Sequence, residues 1–134
     1  MASSQPRPSV KPLTLPSVFF MSSVPMTLNL DRGSVAFRFT PNAARDLQVE
    51  IATLMQHLKA AAAAAGARPQ PQPATEYRFT GDVFFEVFCN PNIYPSPFAA
   101  KVLVTLRDDR IRLSSEAELT QLVEDLNAYL EQSG

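Results

Sequence analysis

Two side chains, His57 and Cys89, have the chemistry of catalysis or metal binding, and each is the only one of its type in the sequence. No second histidine, nucleophile or Glu-x-x-His spacing accompanies His57, so we expect a partly exposed histidine on a helix face. The charge nearest to Cys89 in sequence is Glu86, whereas a reactive thiol needs cationic neighbours or a helix N-terminus. We therefore expect Cys89 to be a buried small hydrophobe, and a single cysteine excludes an intrachain disulfide.

Four acidic residues, Asp108, Asp109, Glu116 and Glu118, lie close together in sequence and could form an acid pair or a cation site. A tight turn and a helix cap account for all four, and the spacing of a calcium-binding loop is absent. The four glycines stand singly at positions 33, 66, 81 and 134, which excludes the glycine-rich loops that bind phosphate groups. The sequence therefore predicts no catalytic residue, no metal and no cofactor.

Four arginines, Arg38, Arg107, Arg110 and Arg112, fall in or beside strand-like segments. With an aromatic neighbour they could form a platform for single-stranded nucleic acid, but solvated strand faces are the favoured interpretation. The formal net charge of the chain is −1. Because nucleic-acid affinity depends on a strong positive potential, we expect no nucleic-acid partner.

The segment 84–98 is the most informative part of the sequence. Strict alternation fails there, because Phe84 and Phe88 fall on the face opposite Phe85, and a rigid loop with three prolines follows. Apolar groups on a stiff loop are typical of a recognition site. The alternative is that the loop folds back over the open sheet face, so that its aromatic side chains are core. The predicted partner-binding residues are Phe84, Phe88, Asn92, Ile93, Tyr94, Phe98 and Arg110.

The elements around these residues follow from periodicity. Alternation of apolar and polar residues predicts strands at 26–30, 34–39, 101–106 and 110–113. The aromatic run at 76–89 is also predicted to be β-structure, and the Gly81-Asp82 pair within it is either a bulge in one long strand or a turn between two short ones. A weaker strand is predicted at 18–21. One amphipathic helix is predicted to begin at Pro41, with Thr40 as its N-cap. A second is predicted to begin at a capping box formed by residues 115–118, with Ser115 and Glu118 as its two ends. Gly66 is a natural end for the first helix.

Residues 26–58 and residues 102–130 have similar sequence patterns. Each segment is predicted to form two strands followed by an amphipathic helix. Duplication and convergence explain this similarity equally well. Such a unit buries its apolar face poorly alone. We therefore predict an α+β fold with one mainly antiparallel sheet of five to six strands and two principal helices on the same face.

The length of 134 residues fits one domain. We predict a disordered tail at 1–17, a single α+β domain at 18–134 and a proline- and glutamine-rich linker at 66–75. The tail lacks the apolar stretch of a secretory signal, and no segment is apolar enough to insert in a membrane. With one unpaired cysteine, the cytoplasm or another reducing compartment is expected.

These features favour a small non-enzymatic protein that binds a protein partner, with assembly or regulation as its role. Tyr94 and Phe98 are the expected anchors and Arg110 a rim charge. A homodimer is a further possibility, because residues 1–65 hold six basic and three acidic side chains while residues 66–134 hold six and ten. The alternative is a small-molecule-binding protein or small oligomeric enzyme whose pocket lies between the loop and the sheet and uses Cys89, Tyr94 and Asp82.

Overall fold

The computed structural model describes residues 24–64 and 70–133. Over these residues the chain forms six strands, two α-helices and two short 3₁₀ turns. The strands are β1 (Pro25–Asn29), β2 (Ser34–Arg38), β3 (Thr75–Thr80), β4 (Phe84–Cys89), β5 (Lys101–Arg107) and β6 (Arg112–Glu118). The helices are α1 (Pro41–Ala63) and α2 (Leu119–Ser133), and the 3₁₀ turns span Pro91–Ile93 and Pro97–Ala99.

The six strands belong to two antiparallel sheets, a hairpin of β1 and β2 and a meander in the order β3-β4-β5-β6. The predicted α+β class is confirmed, but the expectation of one continuous sheet is wrong. The rings of Phe37 and Phe39 lie against the ring of Phe85 in the larger sheet, with centroids 4.9 and 5.4 Å apart. The hairpin therefore packs over one face of the four-stranded sheet, where its phenyl rings are buried, instead of extending the ladder at an edge.

Helix α1 begins as the sequence predicts. Thr40 has extended backbone geometry, and its Oγ1 accepts a hydrogen bond from the Ala43 amide at 3.1 Å, while Pro41 opens the helix. Both features satisfy or remove amides that have no partner within the helix. The helix continues through the alanine run to Ala63. The stripe that faces the core comprises Ala44, Leu47, Ile51, Leu54 and Leu58.

Two turns of the larger sheet show whether Gly81-Asp82 is a bulge or a turn and where β6 begins. Gly81 and Asp82 form a turn between β3 and β4, with the Gly81 amide donating to the Val83 carbonyl at 3.0 Å. A Cβ atom on Gly81 would lie 2.6 Å from the Phe79 ring, so any larger residue there would require that ring to move. Between β5 and β6, Asp108 Oδ1 accepts from the amides of Arg110 and Ile111. Ile111, which falls in the strand predicted at 110–113, is 69% exposed because it belongs to this turn.

The predicted capping box of the second helix is wrong. Ser115 and Glu118 lie in β6, paired with Val104 and Lys101 of β5, so neither caps α2. The Leu119 amide donates to the Ala100 carbonyl at 3.1 Å, which continues the pairing of β5 and β6 into the first residue of the helix. Glu116 and Glu118 are therefore strand residues. The helix begins directly at the end of the strand, where its first amide already has a partner.

The interior is a single cluster of buried side chains to which both helices, the hairpin and one face of the larger sheet contribute. The Tyr77 hydroxyl on β3 donates to the Ala43 carbonyl of α1 at 3.0 Å, and the ring of Phe39 lies 5.8 Å from that of Tyr129 in α2. Both helices therefore lie on the same face of the sheet as the hairpin.

One buried carboxylate joins the hairpin to α2. Asp125 accepts from the Asn29 amide at 2.8 Å, from Asn29 Nδ2 at 2.9 Å and from Gln121 Nε2 at 2.9 Å. The hairpin is attached further along its turn, where the Asp31 amide donates to the Glu116 carbonyl and Lys101 pairs with Asp31. These contacts attach the hairpin to α2 and to β5 and β6 of the larger sheet.

The two β-β-α units that the sequence predicts are both present, as β1-β2-α1 and β5-β6-α2. Their hairpins differ, because β1 and β2 form a separate sheet whereas β5 and β6 are half of the meander. Residues 70–74 of the predicted linker have no regular secondary structure, and Thr75 already belongs to β3. The predictions for residues 1–17, 18–21 and Gly66 lie outside the described residues. Neither described helix combines the length and the hydropathy that crossing a membrane requires.

Candidate partner-binding site

The seven predicted site residues do not form one patch. Phe84 and Phe88 lie at opposite ends of β4, about 13 Å apart along the strand. Asn92, Ile93, Tyr94 and Phe98 follow the Phe88 end, in a segment that we call the proline loop, residues 90–98. Arg110 lies in the β5–β6 turn, at the Phe84 end of the sheet. The candidate site therefore has two parts: the proline loop, and the sheet face that carries Phe84 and Phe88.

We call that face of the four-stranded sheet the open face. Cross-strand pairing arranges its side chains in three principal rows. The first row is Thr80, Phe84, Arg107 and Arg112; the middle row is Arg78, Glu86, Thr105 and Ser114; the third row is Glu76, Phe88, Leu103 and Glu116. Phe84 and Phe88 are partly exposed, and Leu103 is 43% exposed. No described helix or strand packs over these rows.

The charges of the open face are separated along the strands. In the first row Arg107 lies directly opposite Arg112, an arrangement of like charges that weakens strand pairing. Arg107 is held over the ring of Phe84, with the guanidinium carbon 4.3 Å from the ring centroid. Arg78 of the middle row pairs with Glu86 at 2.9 Å and with Glu76 of the third row at 3.5 Å. The third row itself carries two carboxylates and no cation, and Glu116 has no ion pair among the described residues. The face therefore has a basic end at Arg107 and Arg112 and an acidic end at Glu116.

The proline loop is held by amide hydrogen bonds. The side chain of Asn90 accepts from the Asn92 amide at 3.0 Å, and Pro91 is buried. The Asn92 side chain accepts from the Gln72 amide at 2.7 Å and donates to the Gln72 carbonyl at 2.8 Å. This double hydrogen bond ties the loop to the segment that leads into β3. The predicted site residue Asn92 therefore has a structural role in the loop.

The proline loop presents two side chains and buries others. Ile93 is 66% and Phe98 is 84% exposed, whereas Tyr94 packs against the core. Burial raises the pKa of the Tyr94 hydroxyl above its ordinary value. The two 3₁₀ turns of the loop contact the helices α1 and α2. The proline loop therefore lies against the helices and does not fold back over the open sheet face, contrary to the alternative interpretation. Pro91 is buried and Tyr94 packs partly buried against the core, whereas Ile93 and Phe98 are exposed.

Of the three residues of the alternative pocket, only Cys89 and Tyr94 are brought together, and a charge on Cys89 adds to the burial that raises the pKa of Tyr94. Cys89 ends β4 and is buried, whereas Asp82 precedes β4 at its other end and faces Arg38 at 3.6 Å. The length of the strand separates them by roughly 20 Å. Burial raises the pKa of the Cys89 thiol to about 11, so the thiol is protonated at neutral pH. These three side chains therefore do not share a pocket, and the predicted inert character of Cys89 agrees with its environment.

His57 lies on α1 and is partly exposed, as the sequence predicts. Its Nδ1 atom is buried and has no hydrogen-bond partner among the described residues. Over residues 24–64 and 70–133, no three His, Cys, Asp or Glu side chains stand close enough together to hold a metal ion. All four arginines singled out in the sequence, Arg38, Arg107, Arg110 and Arg112, are exposed.

Two residues that matter to this architecture were missed at the level of sequence. Leu103 completes an apolar pair with Phe88 on the open face, and its signal was present as a leucine out of phase with Val102 and Val104. Asp125 is a carboxylate within the buried stripe of α2, three positions after Leu122. A charged residue on the apolar face of a helix is a sign of a specific buried hydrogen bond.

No protein-family model, curated protein or solved structure has significant similarity to this chain. The class that the fold defines is an α+β protein in which a hairpin and two helices cover one face of a four-stranded antiparallel meander.

Proposed function

We propose that this chain is a non-enzymatic interaction protein that binds another protein through the proline loop. The observation that carries the proposal is the exposure of Ile93 and Phe98, 66% and 84%, on a segment whose backbone is otherwise fixed. Large apolar side chains surrounded by polar surface are typical of binding anchors.

The energetics of the loop favour binding. Full burial of a side chain such as isoleucine or phenylalanine stabilises a complex by about 1.5–3 kcal/mol. The prolines and the Asn92 hydrogen bonds restrict the loop before the partner arrives, so less conformational entropy is lost on association. The anchors project from the surface, whereas small-molecule sites are concave. The matching partner is therefore a protein that supplies an apolar groove.

The choice of anchors differs from the sequence-based expectation. Because Tyr94 packs against the core, Tyr94→Ala should lower stability as well as any binding. Ile93 and Phe98 make a cleaner pair, since their removal leaves no cavity. We expect Ile93→Ala with Phe98→Ala to change the free energy of unfolding by less than about 0.5 kcal/mol.

The test is affinity capture of the tagged protein from its own cells, with quantitative mass spectrometry, followed by titration calorimetry with the purified partner. Matched controls are Val49→Ala on α1 and Ile111→Ala in the β5–β6 turn, whose side chains are similarly exposed at 64% and 69%. We expect one protein in near-stoichiometric yield with the wild type and both controls. The loop double variant should bind it roughly 100-fold more weakly. Equal retention by the double variant, or no protein retained beyond background, would contradict the proposal.

A further inference from the structure

The open face is the largest feature that the proposed function leaves unexplained. Its rows place Phe84 with two arginines at one end and Phe88 with two glutamates at the other. The two ends lie about 13 Å apart, with the Arg78–Glu86 ion pair midway between them. When one face is turned end for end, Phe84 and Arg112 of the first row meet Phe88 and Glu116 of the third row, so these outer rows are complementary, while each middle-row ion pair meets its own copy.

We propose that the open face binds a second copy of this chain, face to face, about a two-fold axis that crosses the strands at the middle row. Such an axis reverses the strand direction, so the basic end of one copy meets the acidic end of the other. In this arrangement Arg112 faces Glu116 of the second copy, and Phe84 faces its Phe88. Stacked sheets keep their strand directions within about 30° of each other, which preserves this opposition of ends.

The proposed dimer accounts for an unfavourable pair of like charges within the monomer. Arg107 and Arg112 lie opposite each other without a carboxylate partner among the described ion pairs. Asp108 of the adjacent turn directs its Oδ1 to the amides of Arg110 and Ile111 and forms no ion pair with either arginine. At the acidic end, the Lys101 ammonium is engaged by Asp31. Glu116 of a second copy supplies the missing partner.

The dimensions set the strength of the association. Four strands about 4.8 Å apart and up to seven residues long give a face roughly 20 Å square. Two such faces bury roughly 800 Å² in total, less than the roughly 1,200 Å² of stable complexes, so we expect a weak, transient dimer with a dissociation constant on the order of 10–100 µM. Because the complementarity is electrostatic, raising the salt concentration should weaken the dimer.

The test is sedimentation equilibrium between about 1 and 300 µM with two charge-reversal variants, Arg112→Glu and Glu116→Arg. Each variant alone places like charges across the interface and should weaken association at least tenfold. An equimolar mixture of the two should restore it, because the two substituted side chains then meet with opposite charges and the native residues left at the same positions also pair. Arg45→Glu on α1, an exposed arginine away from this face, is the matched control and should dimerise as the wild type does.

Thermal unfolding of each variant verifies that it folds, and the mixture supplies a gain of function that misfolding cannot produce. A chain that stays monomeric at about 300 µM would overturn the proposal, as would a dimer that both reversals leave unchanged or a mixture that fails to recover.

Hydroxyl-radical footprinting distinguishes the other occupants. Protection of Phe84 and Phe88 that does not vary with concentration would mean that residues 1–23 cover the face. The loop variant Ile93→Ala/Phe98→Ala should dimerise normally, so this proposal and the proposed function succeed or fail independently.

Discussion

The two faces of the four-stranded sheet are built on the same strands and serve different purposes. On the covered face, every side chain of the two central strands, β4 and β5, is buried and apolar. Phe85, Val87 and Val104 are nearly inaccessible to solvent, as is Tyr77 of the edge strand β3. On the open face the alternate positions of the same strands carry charges, hydroxyls and three partly exposed apolar side chains. The covered face determines stability, because that is where apolar area is removed from water.

This contrast constrains the meaning of Phe84, Phe88 and Leu103. A sheet face that only has to be soluble is well served by threonine, lysine and glutamate. Apolar side chains placed there gain little in the monomer. In the proposed dimer, contacts with the second copy would account for these side chains, whereas Phe85 between them is explained by the core alone.

The largest expected effect separates the two faces by stability. Phe85→Ala removes a ring that contacts Phe37, Phe39 and Tyr77, and we expect a loss of about 3–5 kcal/mol in the free energy of unfolding. Phe88→Ala removes the same atoms from the open face and should cost under about 1 kcal/mol. Urea unfolding at low protein concentration measures both. Should Phe85→Ala fail to fold, Phe85→Leu gives a smaller loss of the same sign. Equal costs for the two faces would contradict this division.

The next effect is an alkaline pH dependence to which two buried groups of the covered face contribute. Burial raises the pKa of Cys89 from 9.0 to about 11 and that of Tyr77 above its ordinary value. The unfolded chain loses these protons at a lower pH than the folded chain, so their contribution to stability is constant below about pH 9 and falls as pH rises toward 11. For Cys89 the full loss is on the order of 3 kcal/mol.

Urea midpoints at about pH 7, 9 and 10.5 test this dependence. Cys89→Ala should make the alkaline decline shallower, and Ser114→Ala on the open face should leave its slope unchanged. Parallel curves for the wild type and Cys89→Ala would mean that the thiol ionises equally well in the folded and unfolded chains.

The smallest effect is on the open face. Arg112→Thr removes the like-charge pair with Arg107 and introduces a residue that favours strands. We expect the monomer to gain a few tenths of a kcal/mol, measured at about 1 µM where a weak dimer is dissociated, and to gain less at high salt. The same substitution should weaken dimerisation. A loss of monomer stability would show that Arg112 makes favourable contacts within its own chain.

Local patterns were sufficient to predict most of the elements. Alternation located the strands of both hairpins, and Thr40 with Pro41 located the start of α1, because these signals are local in sequence. The capping box at Ser115 failed because those residues are paired with β5, and this long-range pairing overrides a local motif. The separate hairpin could not be foreseen, since its position depends on ring contacts between Phe37 and Phe85 across the chain.

The candidate site was predicted as a set of residues but not as a geometry. The failed alternation at 84–88 correctly placed aromatic side chains on both faces of β4. Composition could not reveal that Tyr94 packs against the core while Phe98 is exposed, because each stands next to a proline in a loop without periodicity. Nor could it place Arg110 at the far end of the sheet from the proline loop, which follows from the order of strands in the meander.

The hydrogen bonds between Asn29 and Asp125 join residues 96 positions apart. A ribosome adds roughly 5–20 residues per second, so about 5–20 s pass between the synthesis of the hairpin and that of the carboxylate that fastens it. During that interval Met26, Leu28 and Phe37 lack the α2 side of their burial site. The N-terminal hairpin must therefore wait for the last helix, and the nascent chain presents an apolar surface for chaperones or for aggregation throughout most of its synthesis.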